Sequence, residues 1–191
     1  NIIYKLIQDN YCNIFPNIDL DINTTNVSAI NEINTKLNTI MFLSPEDRTH
    51  IQNTLTTLYT IKSTYNTNTI QLYIHKEQDD LENIVIQRIM SKLFTLIDVF
   101  TTNTNTTFNI YIWLSDLKKE TPGHNSIKHE HEHYHSKAFR AQNINSGATV
   151  HNLLEESVEL FIWRKEEIEK VLLHEMIHTL KLDFMEYPED L

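Results

Sequence analysis

Hydrophobic residues recur at helical spacing in the first part of the chain. Val27, Ile30, Ile33, Leu37 and Ile40 fall three or four apart, so residues 1–43 read as helices joined by turns. "SPED" at 44–47 opens a further helix. Ser44 suits the cap, Pro45 the first helical position, and the acids favour the positive end of the helix dipole. That helix is predicted to carry Ile51, Leu55, Leu58 and Ile61 and to end in the polar run "STYNTNT". The rhythm then changes. "TIQLYIH", from residue 69, alternates, with Ile70, Leu72 and Ile74 on one face, and predicts a strand. "DDLENIVIQRIMSKLFTLIDVF" (79–100) predicts a long amphipathic helix. "TFNIYIWL" (107–114) predicts a second strand, with Phe108, Ile110, Ile112 and Leu114 in phase.

A polar, histidine-rich segment follows over 115–143. "NINSGATVH" and "VELFIW" then predict two short strands, and "RKEEIEKVLLHEMIHTLKL" predicts a closing helix. Arg164 and Lys165 read as the solvated start of that helix, Trp113 and Trp163 as core, and His50 and His75 as structural histidines. The succession of elements predicts an α+β fold. An α-helical N-terminal region over 1–66 precedes a mixed region over 67–191.

Composition narrows the function classes. About 40% of the 191 residues are hydrophobic, enough to bury a core, and the longest apolar runs are far too short to span a bilayer. The net charge of -10 argues against nucleic acid or an anionic membrane as partner, because both want clustered Lys and Arg. Cys12 is the single cysteine, so no internal disulfide can form, which suits a reducing compartment such as a cytoplasm. The chain opens at Asn1 rather than Met, which reads as a fragment or a processed product.

The chemistry concentrates in "HEMIH", residues 174–178. Residues four apart on a helix share a face, so His174 and His178 can offer two imidazoles to one zinc ion. Glu175 stands beside His174 and can hold a water at the metal and take its proton. Gly147 and Ala148 lie in the predicted strand upstream. Small side chains there would let a peptide backbone pair with a sheet edge, while the plainer reading of Gly147 is a turn or bulge.

The element order from 69 to 181, with HExxH on the last helix, resembles the N-terminal subdomain of zincin metallopeptidases. The resemblance implies a mixed sheet with an antiparallel edge strand backing the HExxH helix. It implies a zinc peptidase acting on peptide or protein substrates, with His174 and His178 as zinc ligands and Glu175 as the base. Within that group "HEMIHTLKLDF" is similar to the metzincin motif HExxHxxGxxH. It departs from that motif twice: Lys181 stands where the family has Gly, and Phe184 where it has the third His. "INSGATV", "RKEE" and "HEMIHTLKLDF" together resemble metallopeptidases encoded by large DNA viruses.

A third zinc ligand is therefore missing from its family position. Thirteen residues follow His178. Asp183 reaches the metal if the helix breaks after Leu180, and Glu186 and Glu189 do so if the chain folds back. The favoured expectation is a ligand from a segment or partner chain beyond these residues. His129, His131, His133 and His135 alternate in "HEHEHYH" and read first as a solvated loop, then as a weak metal tract or a pH-responsive patch. His151 reads first as a surface histidine and second as a transition-state donor. The rival to the enzyme is a catalytically inactive zincin-fold protein with a structural role, for example as a virion component.

Overall fold

The computed structural model describes residues 2–15, 19–25, 27–65, 67–77, 83–100, 106–118, 145–152, 157–166, 168–180 and 182. Within them the elements follow the order α1 (Ile2–Ile14), β1 (Asp21–Thr25), α2 (Val27–Lys36), a 3-10 turn (Leu37–Thr39) and α3 (Pro45–Thr54). Then come β2 (Thr57–Tyr65), β3 (Asn68–Lys76), α4 (Asn83–Phe100), β4 (Thr107–Trp113), β5 (Gly147–Asn152), β6 (Ser157–Ile162) and α5 (Ile168–Thr179). The strands form one six-stranded mixed sheet in the order β1-β2-β3-β4-β6-β5. The three central strands β3, β4 and β6 run parallel, and the outer pairings are antiparallel. The fold is α+β, as the alternation of patterns predicts.

Helices cover both faces of the sheet, and the strand period of two divides the core accordingly. Ile70, Leu72 and Ile74 of β3, Ile110 and Ile112 of β4 and Leu160 and Ile162 of β6 join side chains of α1, α4 and α5 on one face. Tyr111, Trp113, Phe161 and Trp163 point the other way and meet Ile33, Leu37, Ile51 and Leu55. Both tryptophans are core, as expected. On that second face one rung of the ladder is aromatic. Tyr73 stacks on Tyr111 at 4.8 Å and Tyr111 on Phe161 at 5.3 Å, and the row ends at Ala148 on β5. Burial, followed by the Glu159 carboxylate nearby, pushes the Tyr111 hydroxyl well above its ordinary value.

Three sequence expectations are corrected. The helix from Pro45 does not run through Leu58 and Ile61. It stops at Thr54, where Leu55 is extended (φ -88°, ψ 119°), and residues 57–65 form β2. The spacing of Leu55, Leu58 and Ile61 fits a helix. It also fits a strand buried on both faces, and the run "TLYTIKSTY" carries the β-branched and aromatic residues that a strand prefers. The N-terminal region is consequently not purely helical: β1 and β2 come from it, and β2 pairs antiparallel with β3 across the boundary at 66/67. Arg164 is not solvated. It is 3% exposed, and its Nη1 donates to the Asn145 carbonyl and, at 3.2 Å, to Ser146 Oγ. Lys165 beside it is exposed, as predicted.

Candidate functional site

The site is assembled where β5, β6 and α5 meet. Ser115 Oγ donates to the Trp163 carbonyl at 2.5 Å, and the Lys165 amide donates to the Ser115 carbonyl at 3.0 Å. Together with the Arg164 contacts, these bonds tie the segment after β4, the segment before β5 and the turn into α5 to one end of the sheet. A helix entered from so fixed a point has little freedom in where it lies, and α5 packs on β5 and β6.

Gly147 sets how closely it packs. A Cβ at that position would stand 2.8 Å from each of three atoms: Glu175 Cγ, Glu175 Oε1 and Val171 Cγ1. No side chain larger than hydrogen fits, so the glycine serves a close approach of helix to strand rather than a turn or bulge. Two residues on, Thr149 shares this face of β5. Its Oγ1 lies 2.8 Å from Glu175 Oε2 and 3.2 Å from the Glu175 carbonyl oxygen. Glu175 is 6% exposed, so its carboxylate is held against the strand and receives a hydroxyl donor there. Thr179 Oγ1 donates to the same carbonyl at 2.8 Å.

His174 and His178 lie one turn apart, as their spacing predicts. Their Nε2 atoms are 3.0 Å apart, with ring centroids at 4.5 Å and ring planes at 88°. Two nitrogens bound to one tetrahedral zinc at roughly 2.0–2.1 Å would stand about 3.3 Å apart. The pair therefore needs only a small adjustment to hold one ion, and as neutral imidazoles they are the donors zinc prefers. Without a metal, one Nε2–H can donate to the other nitrogen. The donor set is otherwise incomplete: among the described residues no group of three His, Cys, Asp or Glu side chains is placed to hold a metal.

The helix finishes soon after His178. The Leu180 amide donates to the Met176 carbonyl at 2.9 Å and the Leu182 amide to the Ile177 carbonyl at 3.0 Å. The second bond spans five residues, the reach that closes many helix C-termini. Lys181, Asp183, Phe184, Glu186 and Glu189 lie outside the described residues, as do His129, His131, His133 and His135. His151 belongs to β5 opposite Val158, and its side chain is likewise outside them. Of the other histidines, His75 is buried and His50 Nε2 pairs with Asp116 Oδ1 at 2.8 Å on the surface. That hydrogen bond holds the Asp116 carboxyl below its ordinary value.

Two features went unread in the sequence. The edge position of β5 was expected, and it is observed: among the described residues β5 pairs only with β6, antiparallel. The partnership of Thr149 with Glu175 was not expected, although the alternation of Gly147 and Thr149 on one strand face is a signal that could have found it. The anchoring role of Arg164 had no local signal at all. Among the described residues no helix is long and apolar enough to cross a membrane. No family model matches this chain, and neither a curated protein nor a solved structure matches it with significance.

Proposed function

We propose that this chain carries the catalytic helix of a zinc-dependent metallopeptidase of the zincin type, acting on peptide or protein substrates. His174 and His178 hold the zinc and Glu175 is the general base. Asp183, or a group from a further segment or partner chain, completes the donor set. The observation that carries the reading is the convergence of the two Nε2 atoms, 3.0 Å apart, on the helix that also carries Glu175, the residue next to His174 in sequence. A zinc ion there would supply Lewis-acid polarisation of water and of the scissile carbonyl.

The chain's own residues account for the rest. Glu175 takes a proton from the attacking water as its oxygen bonds to the carbonyl carbon. The same proton then goes to the departing amine as the C–N bond breaks, leaving a carboxylic acid and an amine. The Thr149 hydroxyl donates to Oε2, so the carboxylate keeps one position beside β5. Among the described residues β5 is an edge strand, and its outer backbone groups would let an extended peptide pair with it.

A second reading has one observation in its favour. A glutamate that is 6% exposed and bonded to Thr149 is already explained by packing, so the fold could serve as a catalytically inactive scaffold. Substitution separates the two. Glu175→Gln should keep zinc and lower peptide hydrolysis by roughly a hundred- to ten-thousand-fold, the usual worth of a general base. His174→Ala should lose metal and activity together. Hydrolysis undiminished in Glu175→Gln contradicts the mechanism. A fully zinc-loaded protein that cleaves nothing in a broad peptide library supports the scaffold.

A further inference from the structure

The His pair of α5 is flanked unequally. On one side Glu175 is pressed against β5. On the other, about a quarter-turn away, Leu173 and Ile177 form an apolar stripe that runs beside His174 and His178. Leu173 leaves 47% of its surface exposed, and Ile177 is half-buried.

The chain leaves the helix on the side of that stripe. In a continued helix Leu182 would stand about 140° round from Ile177, towards Glu175. Instead its amide donates to the Ile177 carbonyl at 3.0 Å. A bond of that reach closes a helix by turning the backbone, and it brings residue 182 beneath Ile177. Residues 183–191 therefore start next to the residue that precedes His178.

The composition of that run answers both needs of the place where it starts. "DFMEYPEDL" carries Phe184, Met185, Tyr187 and Leu191 together with the carboxylates of Asp183, Glu186, Glu189 and Asp190, and it has no Lys or Arg. Two neutral imidazoles need a further ligand to hold zinc, and an exposed leucine gains from an apolar cover. Fully extended, the run spans up to about 30 Å. Leu173 lies only about 13 Å back along the helix from Leu182.

We propose that residues 183–191 fold back along α5 when zinc binds, with Asp183 as the third ligand and the apolar side chains after it covering Ile177 and Leu173. The metal site and the surface beside it then close as one unit, and a fourth zinc position stays open for water. The inference rests on the zinc reading of His174 and His178, and it selects this chain's own continuation over a partner as the group that completes the site.

The test is zinc titration of the whole chain against a chromophoric chelator, joined to hydrogen exchange of the 183–191 amides with and without zinc. Zinc should slow exchange in that run. Asp183→Ala should weaken zinc at least tenfold, the least that losing even a group that supports a ligand costs. Leu173→Gln is neutral, similar in size and at an exposed position. It touches no ligand, yet it should weaken zinc about fivefold, the worth of covering half a leucine side chain. Near-ultraviolet circular dichroism without zinc checks that each variant folds. Zinc held as tightly in Asp183→Ala or in Leu173→Gln as in wild type, while His174→Ala loses it, overturns the fold-back and leaves the His pair as a zinc site. Exchange that zinc does not slow overturns it too. Binding indifferent to His174→Ala defeats the zinc reading itself and the fold-back with it.

Discussion

At Gly147 the absence of one methyl group decides how near α5 can come to the sheet. Two of the three atoms that would clash belong to Glu175 and the third to Val171, and both residues sit on a helix anchored at its start. Gly147→Ala should therefore destabilise the protein by about 1–3 kcal/mol, the usual range for overpacking. Urea denaturation checks this, and it should also show weaker metal retention, because the helix that carries the His pair must shift. The residues of the site divide cleanly in legibility. His174 and His178 could be read because helical spacing is a property of five consecutive residues. The Thr149 bond to Glu175 could not, because it joins residues 26 apart whose meeting depends on how β5 and α5 pack.

Among the elements, α3 shows what local chemistry specifies. Ser44 Oγ accepts from the Asp47 amide at 3.0 Å, and Pro45 and two acids occupy the first turn, as "SPED" predicts. Ser44→Ala should lose about 1 kcal/mol, read as a lower urea midpoint with an unchanged slope. The start of this helix was legible and its end was not. Period alone cannot tell a buried helix turn from a strand covered on both faces, and residues 57–65 are such a strand. β1 escaped for the opposite reason. "DINTT" has almost no apolar pattern, and it is a strand because β2 offers it an edge. The long helix α4 and strands β3, β4, β5 and β6 were legible because their patterns are long, or bounded by polar runs.

Across the whole molecule, the sheet separates two hydrophobic layers, and the second of them holds an ionisable group. His75 is 1% exposed and lies between Leu58 and Trp113 in the strand ladders. Burial lowers its pKa from 6.5 to about 4. The folded protein thus resists a proton that the unfolded chain accepts below about pH 6.5. Stability from this group is complete above pH 6.5, falls as the pH drops from 6.5 to 4, and changes no further below that. The loss is on the order of 3 kcal/mol. His75→Leu, which cannot titrate, should flatten the melting temperature between pH 6.5 and 4. An unaltered pH dependence in that variant would assign the acid sensitivity to other groups. Such coupling between a single side chain and the layer around it is invisible in the sequence, where His75 is merely one residue of an alternating strand.

The proposed function requires α5 to present a metal-binding pair and a base. Zinc per chain, measured by elemental analysis after dialysis against trace metal, tests it most directly. The wild-type protein, with any segment or partner that completes the site, should retain about one zinc. His174→Ala and His178→Ala should each retain almost none, since losing either histidine leaves too few ligands to hold zinc tightly. Glu175→Gln should retain as much as wild type. Zinc that persists at one per chain in both histidine variants, or that is absent from the complete wild-type protein, would rule out a zinc site on α5.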